Sequence, residues 1–549
     1  MTRLPQTRLL ATLFGLLGPL ARAAEPSSHD IVVYGGTSAG VIAAIQADRL
    51  GKSVVLIEPT HHLGGLTSSG LGMTDTGKPE VIGGLAREFY QRIKNHYATD
   101  AAWKWERREN FKWWTPDGEP LWRFEPAVAE ATFRALLAET KVVLVEGERL
   151  DLKNWGSKPA AAITEIRMES GRVFRGRVFI DATYEGDLMA RAGVRYHVGR
   201  ESNATYGETL NGVQVAQATK HQFLLDIDPF RTPGDPASGL LPTIHPGDPG
   251  TDGAGDHRIQ AYCFRLCLTD VPENRRPWEK PARYDPLRYE ILRRYLAAGW
   301  KWQEMWRGHH LMPNRKTDTN NSGGFSSDHI GANYAYPESD YATREAIVRD
   351  HEDYQKGFWY FLATDPGVPA EVREDVNRWG LPQDEFRATG GWPHALYIRE
   401  ARRMVSDHVH TEMDCKRSRP TPQPVGMGSY AIDSHNTQRY VDSRGFVRNE
   451  GDVQVPLAAP YPISYLSIRP RSADCRNLLV PVCCAASHIG YGSIRMEPVF
   501  MVLGQSAATA ASLALDAGST VQDVPSDALR ARLLADKQVL DWTPKPPAR

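Results

Sequence analysis

Cysteine is scarce in this chain: there are six in 549 residues. Cys263 and Cys267 lie four apart, Cys483 and Cys484 are adjacent, and Cys415 and Cys475 stand alone. A cysteine-ligated iron–sulfur cluster needs four thiolates at close spacing, so none is expected. The thiols read as buried core residues or as halves of disulfides whose pairing stays open. His61-His62 and His309-His310 read as loop residues, and no metal site is expected. An excess of one charge is also lacking, because 65 Lys and Arg meet 66 Asp and Glu. Without a basic tract, nucleic acid and anionic membranes are excluded as partners. Internal repeats and low-complexity tracts are absent, which excludes solenoids and fibrous arrays.

The apolar run Leu9 to Ala21 has 13 residues, against the roughly 20 needed to span a bilayer. Arg3 and Arg8 precede it and Ala21-Arg22-Ala23 follows as a small-x-small site, so residues 1–23 read as a Sec-type signal peptide. The expected address is the periplasm or the exterior, without stable membrane insertion.

What the chain does have is concentrated between Asp30 and Gly65. Ile31-Val32-Val33 reads as a short buried strand and Gly35-Gly36-Thr37-Ser38-Ala39-Gly40 as a tight turn. Val41 to Leu50 has helical spacing, and Val54 to Ile57 is a second apolar strand ending in Glu58. This is a βαβ unit whose helix starts at a glycine turn, with free amides and a positive dipole end suited to a pyrophosphate. Glu58, 18 residues beyond Gly40, is placed to accept hydrogen bonds from ribose hydroxyls. Thr37 falls where a second glycine is usual, and its side chain is expected to crowd the phosphate.

A second glycine pair, Gly64-Gly65, follows Glu58 closely. Val178-Phe179-Ile180 then runs into Asp181-Ala182-Thr183, with Tyr184 where a glycine is usual and Gly186 two places on. Near the C-terminus, a strand at Leu478 to Val482 leads to the small-residue run Gly504-Gln505-Ser506-Ala507-Ala508. In this order the segments resemble FAD-dependent oxidoreductases of the two-dinucleotide-binding-domain class. With Arg315 to Asn321 and Ser429 to Asn436, the chain resembles their exported bacterial branch, often labelled xanthan lyase and related to the heterodisulfide reductase A-subunit family. The resemblance implies FAD as cofactor, held by Gly35, Gly36, Ser38, Ala39, Gly40, Glu58, Gly64, Gly65, Asp181, Ala182, Gly504 and Ser506.

The expected fold is α/β, a Rossmann-like FAD-binding domain with a central parallel sheet and an inserted α+β substrate domain. Residues 24–200 and 458–522 form the FAD-binding parts, 201–457 the insertion, and 523–549 a terminal helix and tail. Within the insertion, Arg258 to Leu268 reads as a strand, Asp285 to Gln303 and Tyr341 to Ala363 as helices, and Pro393 to Val409 as strand plus loop.

The expected chemistry is hydride transfer from a small polar, carbohydrate-like substrate to flavin N5, with reoxidation by an unidentified electron acceptor. His435 and His488 are the candidate bases, since imidazole suits removal of a hydroxyl proton. Lys316, Asp318, Asn320 and Arg495 are candidate substrate contacts, the first three in a polar loop. Trp103, Trp105, Trp113, Trp114 and Trp122 read mostly as core. Two other functions fit the same segments: a flavin-assisted lyase or hydrolase, and a glycan-binding protein with a vestigial flavin fold.

Overall fold

The computed structural model describes residues 27–543, so the leader read at residues 1–23 lies outside the described residues. The chain opens with β1 (Ser27–Tyr34), α1 (Ser38–Arg49) and β2 (Val54–Glu58). After α2 (Gly84–Tyr97) and α3 (Pro126–Ala138) come β3 (Val143–Glu146), β4 (Gly156–Ser157), β5 (Glu165–Arg167) and β6 (Val173–Asp181). The sheet order is β3-β2-β1-β6-β5-β4. The first four of these strands are parallel, and β5 and β4 extend the sheet antiparallel. Strand Leu478–Leu479, shorter than expected, pairs in parallel with the end of β6. Ile31, Val32 and Val33 are wholly buried, as a parallel strand covered on both faces must be.

The helix Glu497–Ala517 lies against α1. Among the described residues it is long and apolar enough to cross a membrane, but it is buried in the core. A Cβ on Gly504 would collide with the carbonyl oxygen of Ala39, so the two backbones touch at this crossing. The Ser506 hydroxyl donates to Val425 O at 2.7 Å. Gly504 and Ser506 therefore serve helix packing and do not contact a cofactor, which corrects their assignment from sequence.

A separate aromatic core, with Tyr262, Tyr289, Tyr295, Trp302, Phe358 and Trp359, fills the inserted region. The helix Tyr341–Thr364 is as expected. The other long helix is broken: a 3₁₀ turn at Pro286–Tyr289 leads into Glu290–Ala297, which stops before Gly299 at φ +97°. Arg258 to Leu268 is extended chain with isolated bridges to Tyr397 and Thr319, not a sheet strand. Pro393 to Val409 contributes only the two-residue strand Arg403–Met404. Val425, Met427 and Ile432 already belong to the core of the sheet domain, so the chain returns there earlier than residue 458.

Candidate functional site

The glycine turn is built from contacts that leave no room for side chains. A Cβ on Gly35, at φ +99°, would lie 2.9 Å from the backbone of Ala182 and Thr183. One on Gly65, at φ +55°, would strike the Tyr184 hydroxyl. Thr37 lines the cleft that the turn opens on, and its hydroxyl is used within the turn. Its side chain accepts from Gly40 N as the N-cap of α1, and donates to Ala182 O at 2.7 Å. The amides of Ser38 and Ala39 open the helix, where no intrahelical acceptor exists for them. Gly36 N donates to Glu58 Oε2 at 2.7 Å, and Thr60 donates to Oε1 from both its amide and its hydroxyl. Burial raises the Glu58 carboxyl above its ordinary pKa against the pull of these donors. Thr60 occupies both lone pairs of Oε1, and Oε2 keeps one for a ribose hydroxyl.

Gly35, Glu58 and Gly65 line a cleft of about 280 Å³ with Thr60, Thr183 and Tyr184. Gly64, at φ +96°, backs it and faces Phe133. Ala182 packs beneath the turn. Asp181 does not face the cleft: Oδ1 accepts from Thr183 and Oδ2 from Met189 N at 2.8 Å, so it shapes the turn that follows. Tyr184, in the glycine position, accepts from Leu66 N at 2.9 Å and donates to Glu497 Oε1 at 2.8 Å. Gly186, at φ +69°, completes that turn.

A second, polar cleft of about 560 Å³ opens between the insertion and the sheet domain. Asn320, Asn321, Tyr430, Asp433 and His435 line it. His435 Nδ1 is 3.0 Å from Asp328 Oδ2 and its Nε2 is 3.7 Å from Asp433 Oδ2, so both ring nitrogens face carboxylates. Arg399 Nη1 lies 2.9 Å from Asp328 Oδ1. Although Asp328 is buried, Arg399 and His435 hold its carboxyl down at about 2.

Of the other sites read from sequence, Arg495 stands behind the cleft wall at Asp433 and three lie elsewhere. Arg495 donates to Tyr397 OH at 2.8 Å and to Asp433 O at 3.0 Å. His488 is buried at the start of a helix, with Nδ1 2.9 Å from Glu400 and Nε2 3.0 Å from Ser434 Oγ. Both nitrogens are committed and it does not line the cleft, so its assignment as a base is corrected. Lys316 to Thr319 is a buried strand paired with His309–Met312, not a loop. Lys316 Nζ is held by Glu125, Asp384 and Glu385 at 2.7–2.9 Å. Asp318 takes a bidentate pair from Arg265 at 2.8 and 2.7 Å. Neither Lys316 nor Asp318 is a substrate contact.

Sequence reasoning missed Tyr397, Arg265 and Arg399. The guanidinium carbons of Arg265, Arg399 and Arg495 lie 5.7, 4.8 and 5.9 Å from the centroid of the Tyr397 ring. Tyr397 in turn packs with Leu66 and Leu71, just past the second glycine pair. No local pattern announces this cluster, because its members come from distant segments.

A glycine-turn βαβ unit, an acid at the end of β2 and a second glycine turn over one cleft define a dinucleotide-binding flavoprotein. The chain belongs to the FAD dependent oxidoreductase family, which matches it over residues 30–533. It is an FAD-dependent oxidoreductase. The residues fit that cofactor, because both glycine turns and Glu58 open on one cleft. No curated protein matches the chain. Among solved structures it is similar over part of its length to L-proline dehydrogenase from P. horikoshii, at 16% identity and a TM-score of 0.24, covering 32% of this chain and 59% of that one. L-amino acid deaminase from Proteus vulgaris has 15% identity and a TM-score of 0.23, covering 33% and 54%. OxyS anhydrotetracycline hydroxylase from Streptomyces rimosus has 11% identity and a TM-score of 0.23, covering 32% and 36%. The chain thus spans less than two thirds of each of these neighbours.

Proposed function

We propose that this oxidoreductase dehydrogenates a small, polar, carbohydrate-like substrate held in the second cleft. The observation that carries this reading is the continuity of the two sites. Asp433 on the cleft wall contacts Arg495, Arg495 contacts Tyr397, and Tyr397 packs on the segment that follows the cofactor's glycine pair. Bound FAD supplies the oxidising capacity for a C–H bond placed at that junction. Lining residues Lys220 and Arg307 offset Glu304 and Asp433, and Thr219, Gln222, Asn320, Asn321 and Gln454 add neutral hydrogen-bonding groups. That lining suits a neutral polyhydroxylated ligand better than an ion. His435, fixed between two carboxylates, orients such a ligand.

The test is anaerobic bleaching of the flavin band by a panel of neutral sugars, amines and carboxylates. Reduction by at least one sugar is expected, and reduction confined to the amines or carboxylates overturns the reading. The same proposal places the enzyme outside the cytoplasm, because residues 1–23 have the composition of a cleavable leader. N-terminal sequencing of the mature protein should begin at Ala24; a retained Met1 counts against export.

A further inference from the structure

We propose that His221 is a substrate-binding residue, whose imidazole exchanges hydrogen bonds with a ligand hydroxyl in the second cleft. This rests on the dehydrogenation just described and names a group that grips its substrate. His221 lines that cleft together with Thr219, Lys220 and Gln222. Its backbone stands at φ +47°, in the left-handed region that costs energy for a residue carrying a Cβ. Among the described residues, it is the only residue other than glycine that has such a backbone on this cleft's wall.

Neighbouring side chains hold it there. Asn449 Nδ2 donates to His221 O at 2.9 Å and to Gly324 O at 2.7 Å, and Asn436 Nδ2 donates to His221 O at 3.3 Å. Gln222 is fixed at both ends of its amide. Nε2 donates to Ala218 O at 2.9 Å and to Asn449 O at 2.7 Å, and Oε1 accepts from Asn449 N at 2.8 Å. A strained residue persists only where its surroundings over-determine it, and such residues gather at ligand clamps.

None of these bonds uses the imidazole. Its ring nitrogens have no hydrogen-bond partner among the described residues, and neither is sealed in the protein as His309 Nε2 and His329 Nδ1 are. Both are therefore open to a ligand in the cleft that His221 lines. The ring of His435 lies nearly parallel, with 7° between the planes and 6.4 Å between the centroids. Both nitrogens of His435 face carboxylates, so His221 is the imidazole of this pair that has hydrogen-bonding capacity to spare. Burial, and then His435 beside it, push the pKa of His221 down to about 4 against Asp328 and Asp433. A neutral ring offers one donor and one acceptor, which matches a hydroxyl that can act as both.

Two measurements on FAD-loaded protein test the assignment. The first is urea unfolding of His221→Gly, which removes the ring and lets the backbone take its angle freely. The midpoint should lie at or above that of the wild type; a lower one shows that the ring serves the fold, and overturns the proposal. The second is anaerobic flavin reduction over a range of concentrations of a panel compound that bleaches the wild type. His221→Gly should raise the Kd of that compound roughly 3- to 10-fold, with limiting rate and flavin content unchanged. His221→Asn, which tolerates the left-handed region and keeps a donor and an acceptor, should recover part of the affinity. An unchanged Kd in His221→Gly overturns the proposal. If only an amine or a carboxylate bleaches the wild type, the carbohydrate reading falls, and the same variants decide for His221 on that compound. If nothing in the panel bleaches it, the dehydrogenation reading falls and takes the proposal with it.

Discussion

The Thr37 hydroxyl donates to the carbonyl of Ala182 at 2.7 Å, tying the cofactor turn to the end of β6. The same oxygen caps Gly40 N at 3.3 Å. One side chain thus fixes the start of α1 against the sheet. Thr37→Val removes both bonds while keeping the shape, and should cost about 1–2 kcal/mol of stability. Thr37→Ser should keep most of it. Urea unfolding of the two variants checks this; equal midpoints would show the hydroxyl to be idle.

Glu58 receives Gly36 N and Thr60 and still lines the cofactor cleft. Glu58→Ala should weaken FAD binding about 10- to 100-fold through lost bonds to a charged acceptor. Titration of the apoprotein with FAD measures it, and unchanged affinity would sink the ribose assignment.

Lys316 has three carboxylates around a buried ammonium. Replacing it by Met strands those carboxylates and should destabilise the protein by about 3–5 kcal/mol. The folded fraction should reduce its flavin with the panel sugar as the wild type does. A raised sugar Kd with unchanged stability would restore Lys316 to the substrate site.

Acid should remove stability through Asp328. Its folded carboxyl sits at about 2, below the ordinary value of roughly 3.9 for an unfolded chain. The contribution is therefore complete above about pH 5 and is lost as pH falls through about 2, amounting to about 2.6 kcal/mol. Asp328→Asn should flatten the acid limb of stability against pH by that amount. An identical acid limb in the variant would contradict it.

The six cysteines are all free and buried among the described residues. About six thiols per chain should react after denaturation without reductant, and metal analysis should find less than about one iron per chain. Fewer thiols would reveal a disulfide, and about four irons a cubane cluster.

Much of the cofactor side was legible because its signals are local. A glycine turn, a 3.6-residue period and a terminal acid lie within 30-odd contiguous residues, and β1, α1 and β2 form where they predict. Gly299 was readable as a helix stop, yet the amphipathic pattern of Asp285 to Gln303 ran across it. Lys316 to Thr319 was misread because buried charge looks like loop composition when its partners, at Glu125 and Glu385, are far along the chain. Tyr397 carries no pattern of its own; only folding sets it beside Arg265 and Arg495. The bond from Thr37 was not readable because its acceptor, Ala182, lies just past the end of a distant strand.

The touching of Ala39 and Gly504 also sets the order of assembly. The turn that grips the cofactor is synthesised long before the helix Glu497–Ala517 that packs over its own helix. Such long-range closure slows folding and leaves the early βαβ unit with exposed apolar surface. A truncated chain ending before Glu497 should therefore hold no FAD, even with every glycine of the turn in place. Cofactor capture becomes a late event of folding, one that waits for Glu497–Ala517 to dock.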